Sequence, residues 1–408
     1  MRIAFYSPTW PVERAHNGIA TYVGIMKRAL ERQGCECIIV TARYLGDDLE
    51  AERGVYVARP RQRKGLQKLW GKLAAVKEGE ARYDLGPFSR GIGDALRRAE
   101  IDKPIDIFEC EESFGRPFYF YDYVETPTVI RMHGPHFVVH QGEKTPYDLK
   151  RIETEGATIS NAAAVTCPSS GVLEEVRGFY SRQLPLARAI PNPVEIPGES
   201  ECWSLAECDR NTLLFVGRFD PVKGADILLD AFSRLVEKHP RLKLVMAGTD
   251  NGITNEAGDH IKFEEFFAAR YSSELRKRVD FLGAVPSADL AAMRRNAFAC
   301  VISSRFECFP YAVTEALALG CPVVTTPTFG PAEILQNGVE LVVCKSADGV
   351  QLASELSRLI KNPDKAASIG AAGRRQMIEK FSADEIATQT LTFYNEVIAA
   401  KNENGAGQ

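Results

Sequence analysis

The absences in this 408-residue chain narrow its class first. No window reaches the roughly 18 apolar residues that a membrane-spanning helix needs, so no span is expected. Ten cysteines are scattered, with no Cys-x-x-Cys pair and no paired Cys/His cluster. That pattern predicts reduced thiols in a cytosolic protein and gives no support for a structural zinc site. No Asp-x-Asp pair occurs, and a divalent ion on a diphosphate needs converging Asp/Glu oxygens, so no metal is expected. There is no surplus of positive charge either: the formal net charge of -4 argues against a dedicated nucleic-acid binder. No internal repeat of short period is present. The apolar run at Met1–Pro8 is too short for a signal peptide and reads as a first strand.

What remains is the composition of an ordinary globular protein, 45% hydrophobic and 25% charged. The length suggests two or three domains. Apolar strand-like runs alternate with helical patterns: Arg2–Tyr6, then a helix over about Gly18–Gln33, then Cys35–Ala42. Further strands are expected at Ile105–Glu109, Thr128–Met132 and Ala163–Cys167. This alternation predicts an α/β fold with parallel sheet and helical crossovers. The proline-dense Ala189–Gly198 reads as a linker. A second series follows at Thr212–Val216, Leu242–Ala247, Val279–Leu282, Ala299–Ile302, Pro322–Thr326 and Glu340–Val343. Two doubly wound, Rossmann-like halves are the simplest reading, and such folds bind ligands at strand carboxyl ends. The expected domains are 1–190 and 191–382, with a polar, flexible tail at 401–408.

Two stretches carry chemistry. In the first, the strand Ala299–Ile302 feeds a loop with Glu307, and a helix begins near Pro310, which a first turn tolerates. Gly320 stops that helix, and Pro322-Val323-Val324 opens another strand. Glu307 and Glu315 therefore flank a helix N-terminus, whose free amides and positive dipole end attract phosphate. In the second stretch, Gly217-Arg218-Phe219-Asp220-Pro221-Val222-Lys223-Gly224 joins a strand to the helix Ala225–Glu237. Its glycines permit tight turns, and Arg218 and Lys223 place two cations at a strand's carboxyl end. Fixed cations there can stabilise negative charge developing on a leaving group.

These motifs resemble those of family 4 glycosyltransferases, retaining enzymes of the GT-B fold, in which two Rossmann-like domains face a central cleft. The likeness covers residues 190 to 400 well and is patchy before that. It implies a nucleotide-diphospho-sugar donor as substrate and no cofactor. Carried over, Glu307 holds sugar hydroxyls, the backbone of Phe309, Pro310, Tyr311 and Ala312 holds phosphate, and Glu315 holds the ribose. Arg218 and Lys223, which resemble the family's Gly-Arg and Lys-Gly pair, bind the diphosphate, with Gly217 at the turn. His133-Gly134 contacts the donor sugar near the reacting carbon. Gly18 approaches phosphate or acceptor, although Asn17 stands where the family has a first Gly. A second departure is Cys308-Phe309-Pro310 in place of Gly-Phe-Gly; Pro310 cannot donate a hydrogen bond. Gly330-Pro331-Ala332-Glu333-Ile334, Arg374 and Phe381-Ser382 extend the likeness. The family also sends its last helix back over the first domain, a place that Ala383–Ala400 fits.

The resemblance implies a retaining transferase acting on a glycan, lipid-linked or small-molecule acceptor, in cell-surface polysaccharide synthesis by family habit. The first domain would hold the acceptor and the second the donor. Two other readings stay open. One is an epimerase or inverting transferase of the same fold, with His16 or His133 as base; the other is a nucleotide-sugar-binding protein without turnover. A basic segment, Arg53–Lys77, holds eight bases and no acid, with Leu66, Leu69, Trp70 and Leu73 at helical spacing. It suits either an anionic membrane surface, which would make the protein peripheral at the inner face of a membrane, or a helix packed on the first domain with a solvated face.

Overall fold

The structure, a computed structural model, describes all residues except 15–16, 51, 61–84, 141, 182–183, 185, 255–257 and 407–408. Most of the basic segment and His16 therefore lie outside the described residues. The chain divides into two compact units, Met1–Pro193 with Ala383–Gln408, and Val194–Ser382.

The first unit is built on a seven-stranded sheet: β1 (Arg2–Trp10), β2 (Glu36–Tyr44), β3 (Val55–Val57), β4 (Ile107–Glu111), β5 (Thr128–Arg131), β6 (Ala164–Cys167) and β7 (Ala187–Ala189). The order is β3-β2-β1-β4-β5-β6-β7, and every pairing is parallel. Its helices are α1 (Gly18–Arg32), α2 (Leu85–Asp102), α3 (His136–Val139), α4 (Pro146–Ser160) and α5 (Ser170–Tyr180). Three expectations need correction. β1 runs past Tyr6 because β2 pairs with it as far as Trp10 and Tyr44. Val55–Val57, within the basic segment, is an edge strand on β2. Ala187–Ala189, at the mouth of the proline-rich stretch, pairs with β6.

The second unit repeats the topology. Its strands are β8 (Asp209–Val216), β9 (Lys243–Ala247), the small hairpin β10 (Ile253–Thr254) and β11 (His260–Ile261), β12 (Val279–Phe281), β13 (Ala297–Ile302), β14 (Val323–Thr325) and β15 (Val342–Val343). The main sheet is ordered β12-β9-β8-β13-β14-β15 and all its pairings are parallel. Helices α6 (Ala225–Val236), α7 (Phe263–Arg270), α8 (Ser273–Arg276), α9 (Ser287–Asn296), α10 (Tyr311–Ala318), α11 (Pro331–Ile334), α12 (Gly349–Ile360) and α13 (Pro363–Lys380) connect or follow the strands. β13 is buried along its whole length, and its apolar run reflects cover on both faces. The chain enters and leaves this unit side by side: the Val194 amide donates to Phe381 O at 2.8 Å, and Val194 bridges Ser382.

The last helix, α14 (Ala383–Ala406), belongs to the first unit. Tyr394, fully buried, donates its hydroxyl to Glu109 Oε2 at 2.7 Å, and Arg188 pairs with Glu396 at 2.8 Å. The tail expected from 401 onward is instead helical through Ala406, and the Lys401 ammonium donates to the Glu125 carbonyl. Among the described residues no helix is long and apolar enough to cross a membrane.

Candidate functional site

In the second unit, β8 and β13 are neighbours, and the strand order reverses between them. Ligands of doubly wound folds bind at such switch points, beyond the strand carboxyl ends. The loop after β8 holds Gly217–Gly224, and the loop after β13 holds Ser303–Pro310. They are locked together by backbone. Arg305 N donates to Val222 O at 2.9 Å, and Ser303 Oγ donates to Lys223 O at 3.1 Å. Gly224 sits at φ 63°, and a Cβ there would lie 1.9 Å from Ser303 O. Only glycine satisfies both the left-handed turn and that approach.

This loop contact joins two of the predicted residues. Lys223 Nζ lies 2.5 Å from Glu307 Oε1, and the same oxygen accepts Ser304 Oγ at 2.8 Å. Arg218 is turned to Asp220, with Nε 2.6 Å from Oδ2, and half its side chain stays open to solvent. Asp220 is buried and also accepts the Lys223 amide at 2.8 Å. It therefore folds the loop and aligns both cations, a role the sequence reading missed. An Asp three residues before Lys223 was the available signal, since Asp side chains organise turns in this way.

α10 begins at Tyr311. Pro310 is its N-cap, at φ -74°, and no side chain caps the first turn. The missing Pro310 N–H thus falls just before the turn whose amides matter for an anion. Phe309 is buried, with its ring 6.0 Å from that of Phe381, so its side chain belongs to the core. Tyr311 and Ala312 are half-buried. Glu315, one turn further on, pairs with Arg294 Nη2, and Arg294 is almost fully buried. The sequence reading missed Arg294, which comes from α9 and has no local signal. The Gly330–Ile334 segment has a structural use: Glu333 reaches back to the Gly330 amide at 2.6 Å, starting α11. Arg374 likewise donates to the carbonyls of Ala318 and Pro197.

In the first unit, His133 follows β5. Its amide and that of Gly134 donate to Glu112 Oε2 and Oε1, at 2.9 and 2.7 Å. Burial pushes the Glu112 carboxyl up to about 8, with Glu155 and Glu111 adding to the rise and the two amides opposing it. Burial, with the Arg131 guanidinium nearby, pushes the His133 imidazole down to about 3, so the ring is neutral. His133 packs edge-on against Tyr22 of α1, ring centroids 5.2 Å apart. Gly18 is the first residue of that helix and is exposed; Asn17 Oδ1 caps it by accepting Ile19 N at 2.8 Å. A Cβ on Gly18 would meet nothing within 4 Å.

The unit also holds a cluster that the sequence reading did not find. His136 and His140 lie one helical turn apart, and Asp148 joins them: its Oδ1 is 2.7 Å from His136 Nε2. The expectation of no paired His cluster is corrected here. The third member comes from the next helix, so only the fold reveals the set.

The two units also match known proteins separately. The profile described as Glycosyltransferase Family 4 matches residues 16–196, and the one described as Glycosyl transferases group 1 matches residues 203–376. An uncharacterised glycosyltransferase of Methanocaldococcus jannaschii is 30% identical over 186 residues, 46% of this chain and 45% of that protein. The chain spans about half the length of the curated relatives it matches. Sucrose-phosphate synthase from Thermosynechococcus elongatus superposes with a TM-score of 0.74 at 20% identity, covering 98% of this chain and 99% of that one. HepE of Anabaena, in complex with UDP-glucose, gives 0.66 at 17% identity, covering 98% and 100%. Two parallel Rossmann-like sheets, a fold shared with these structures and profiles matched on both units place the chain in glycosyltransferase family 4, of the group 1 type and the GT-B fold.

Proposed function

We propose that the chain transfers a glycosyl group, with retention, from a nucleotide-diphospho-sugar to a hydroxyl of a glycan, lipid-linked or small-molecule acceptor. The observation that carries this reading is the junction at the switch point, where Lys223 meets Glu307 and Asp220 holds both Arg218 and the Lys223 amide. As the glycosidic bond breaks, its electron pair goes to the diphosphate oxygen. Arg218, Lys223 and the first-turn amides of α10 stabilise that charge. Glu307, released from Lys223 when the diphosphate binds, positions the sugar hydroxyls, and Glu315 takes the ribose. The acceptor hydroxyl attacks on the face of the departing phosphate, which takes its proton. These cations do the electrostatic work of a metal, so added Mg²⁺ or Mn²⁺ is expected to leave turnover unchanged.

The depressed pKa of His133 weighs against the inverting alternative with this residue as base. A group whose conjugate acid has a pKa near 3 is a poor proton acceptor at neutral pH. His133 serves better as a neutral hydrogen-bonding group on the sugar. Uridine diphosphate sugars are the first donors to try, since HepE was crystallised with UDP-glucose.

The test is a thermal-shift panel of UDP-, GDP- and ADP-sugars, followed by the anomeric configuration of any product. A donor at 100 times its dissociation constant should stabilise by about 2.7 kcal/mol. Stabilisation lost in Arg218→Ala, with product of retained configuration, supports the reading. Inverted product, or donor binding with neither transfer nor hydrolysis, overturns it.

A further inference from the structure

We propose that His136, His140 and Asp148 form a binding site for a divalent transition-metal cation of the zinc type. The proposal stands on the first unit alone and does not depend on the donor reading. His136 opens α3 and His140 closes it as the C-cap, so the two imidazoles share one face. Their rings are nearly parallel, 11° apart with centroids at 5.1 Å. Asp148 enters from the start of α4 and offers one oxygen towards each ring: Oδ1 is 2.7 Å from His136 Nε2, and Oδ2 is 3.8 Å from His140 Nε2. One ligand atom from each residue can be chosen so that all lie within 4.8 Å of one another.

Zinc binds imidazole nitrogen and carboxylate oxygen at about 2.0–2.2 Å, which makes the edge of its tetrahedron about 3.4 Å. The two observed separations fall on either side of that edge. Side-chain rotations that close the three ligand atoms from within 4.8 Å to that edge would bring them onto one ion. A direct His136–Asp148 hydrogen bond accounts for the shorter distance. His140 Nε2 lies 3.1 Å from the Glu143 carbonyl as well as beside the carboxylate, and the ion would replace that carbonyl as its partner.

The supports of the cluster are those a metal site needs. Thr145 donates to Asp148 Oδ2 from its amide at 2.8 Å and from its hydroxyl at 2.6 Å, so the carboxylate is fixed from behind. The His136 amide donates to the buried Glu155 at 2.7 Å, which fixes the start of α3. Such outer hydrogen bonds orient ligands and raise their affinity. Two imidazoles with one carboxylate suit zinc, whereas magnesium and calcium favour sets made of oxygen. His140 is 39% exposed at its side chain, so an ion can reach the site from solvent. Three protein ligands leave a fourth position for water or another oxygen ligand. On binding, His136 Nε2 gives up its hydrogen bond to Asp148, His140 Nε2 gives up the Glu143 carbonyl, and each ring carries its proton on Nδ1; nothing is oxidised or reduced. The ion would tie α3 to α4 directly after the His133-Gly134 turn.

The experiment is a titration of the full-length, chelator-stripped protein with Co²⁺, followed by displacement with Zn²⁺. The expected result is one equivalent bound, with the visible absorption of low-coordinate cobalt, bleached by one equivalent of Zn²⁺. Zn²⁺ should also raise the midpoint of thermal unfolding. His140→Ala, at an exposed side chain, should keep the wild-type circular dichroism and bind at least about 100-fold more weakly, the upper range for losing even an outer partner. Asp148→Asn should weaken binding likewise, and His260→Ala, in the other unit, should not. Absence of saturable one-to-one binding overturns the proposal. So does binding of unchanged affinity in folded His140→Ala.

Discussion

The two units share a strand order and differ in what they place at the strand ends. In each, the fourth strand of the sheet lies beside the first and ends near a carboxylate. After β4 that carboxylate is Glu112, fully buried and held by the His133 and Gly134 amides. After β13 it is Glu307, reachable by solvent and held by a lysine and a serine. The surroundings follow suit. Beside Glu112 lie buried Glu111 and Glu155, paired with Arg116 and Arg151. Phe114, held at φ 63°, donates its amide to Glu155 at 3.0 Å beneath the Arg151 guanidinium. Beside Glu307 lie a half-open arginine and a glycine-bound loop. One sheet keeps its charges internal and neutralised in place; the other leaves them where an anionic ligand can exchange partners with them. Topology supplied the location in both, and side chains decided whether its charges lie buried or open.

Loss of the exchangeable charges should have the largest effect. Arg218→Ala or Lys223→Ala is expected to lower turnover by about 10²–10³, the scale for one donor lost from a transition state. Steady-state rates with the donor found in the panel would measure it, and near-normal turnover would remove these residues from the mechanism. Next comes the loop lock. Gly224→Ala forces a Cβ against Ser303 O in a left-handed turn and should cost about 2–5 kcal/mol in urea unfolding of the second unit. A cost under about 0.5 kcal/mol, the scale of ordinary surface changes, would mean the two loops are free to part.

The internal charges of the first unit should answer to stability rather than turnover. Tyr394→Phe removes one hydroxyl donor from the buried Glu109 carboxyl, at a cost of about 1–3 kcal/mol in unfolding. His133 brings a pH dependence. Its folded pKa is about 3, against about 6.5 unfolded. The unfolded chain therefore binds a proton that the folded one refuses. This stability is full above the unfolded value and is lost as pH falls through 6.5 towards 3, at up to about 1.4 kcal/mol per pH unit. His133→Asn should flatten that acid limb between pH 7 and 5. An NMR titration of the His133 ring with a midpoint near 6.5 would contradict it. The smallest effect on stability belongs to Gly18→Ala, within about 1 kcal/mol of wild type, because nothing occupies the space of its Cβ. If a ligand approaches that helix start, turnover should fall while stability holds; unchanged turnover would leave Gly18 with no role.

The two units were not equally legible in the sequence. β13, Glu307 and α10 could be read in order because an apolar run, a proline and a stopping glycine mark each boundary locally. The loop of Arg218 and Lys223 was readable for the same reason. What escaped was set by distant partners. Arg294 meets Glu315 from another helix, and Asp148 meets the two histidines from across a loop. The short strands Val55–Val57 and Ala187–Ala189 are strands only because β2 and β6 lie alongside them. Tyr394 gives no sign in sequence that its hydroxyl meets Glu109, which lies 285 positions earlier.

That last pairing bears on the order in which the protein can be made. The second unit is one unbroken segment whose ends, Val194 and Ser382, lie side by side, so it is complete once Ser382 has left the ribosome. The first unit is begun earlier but lacks α14 until the residues after Ser382 have been synthesised. Domains fold as they are completed during synthesis. The later-starting half can therefore fold first, while the earlier one waits for Tyr394 with the Glu109 carboxyl uncovered. The nascent first unit is thus the one exposed longest to proteases and chaperones.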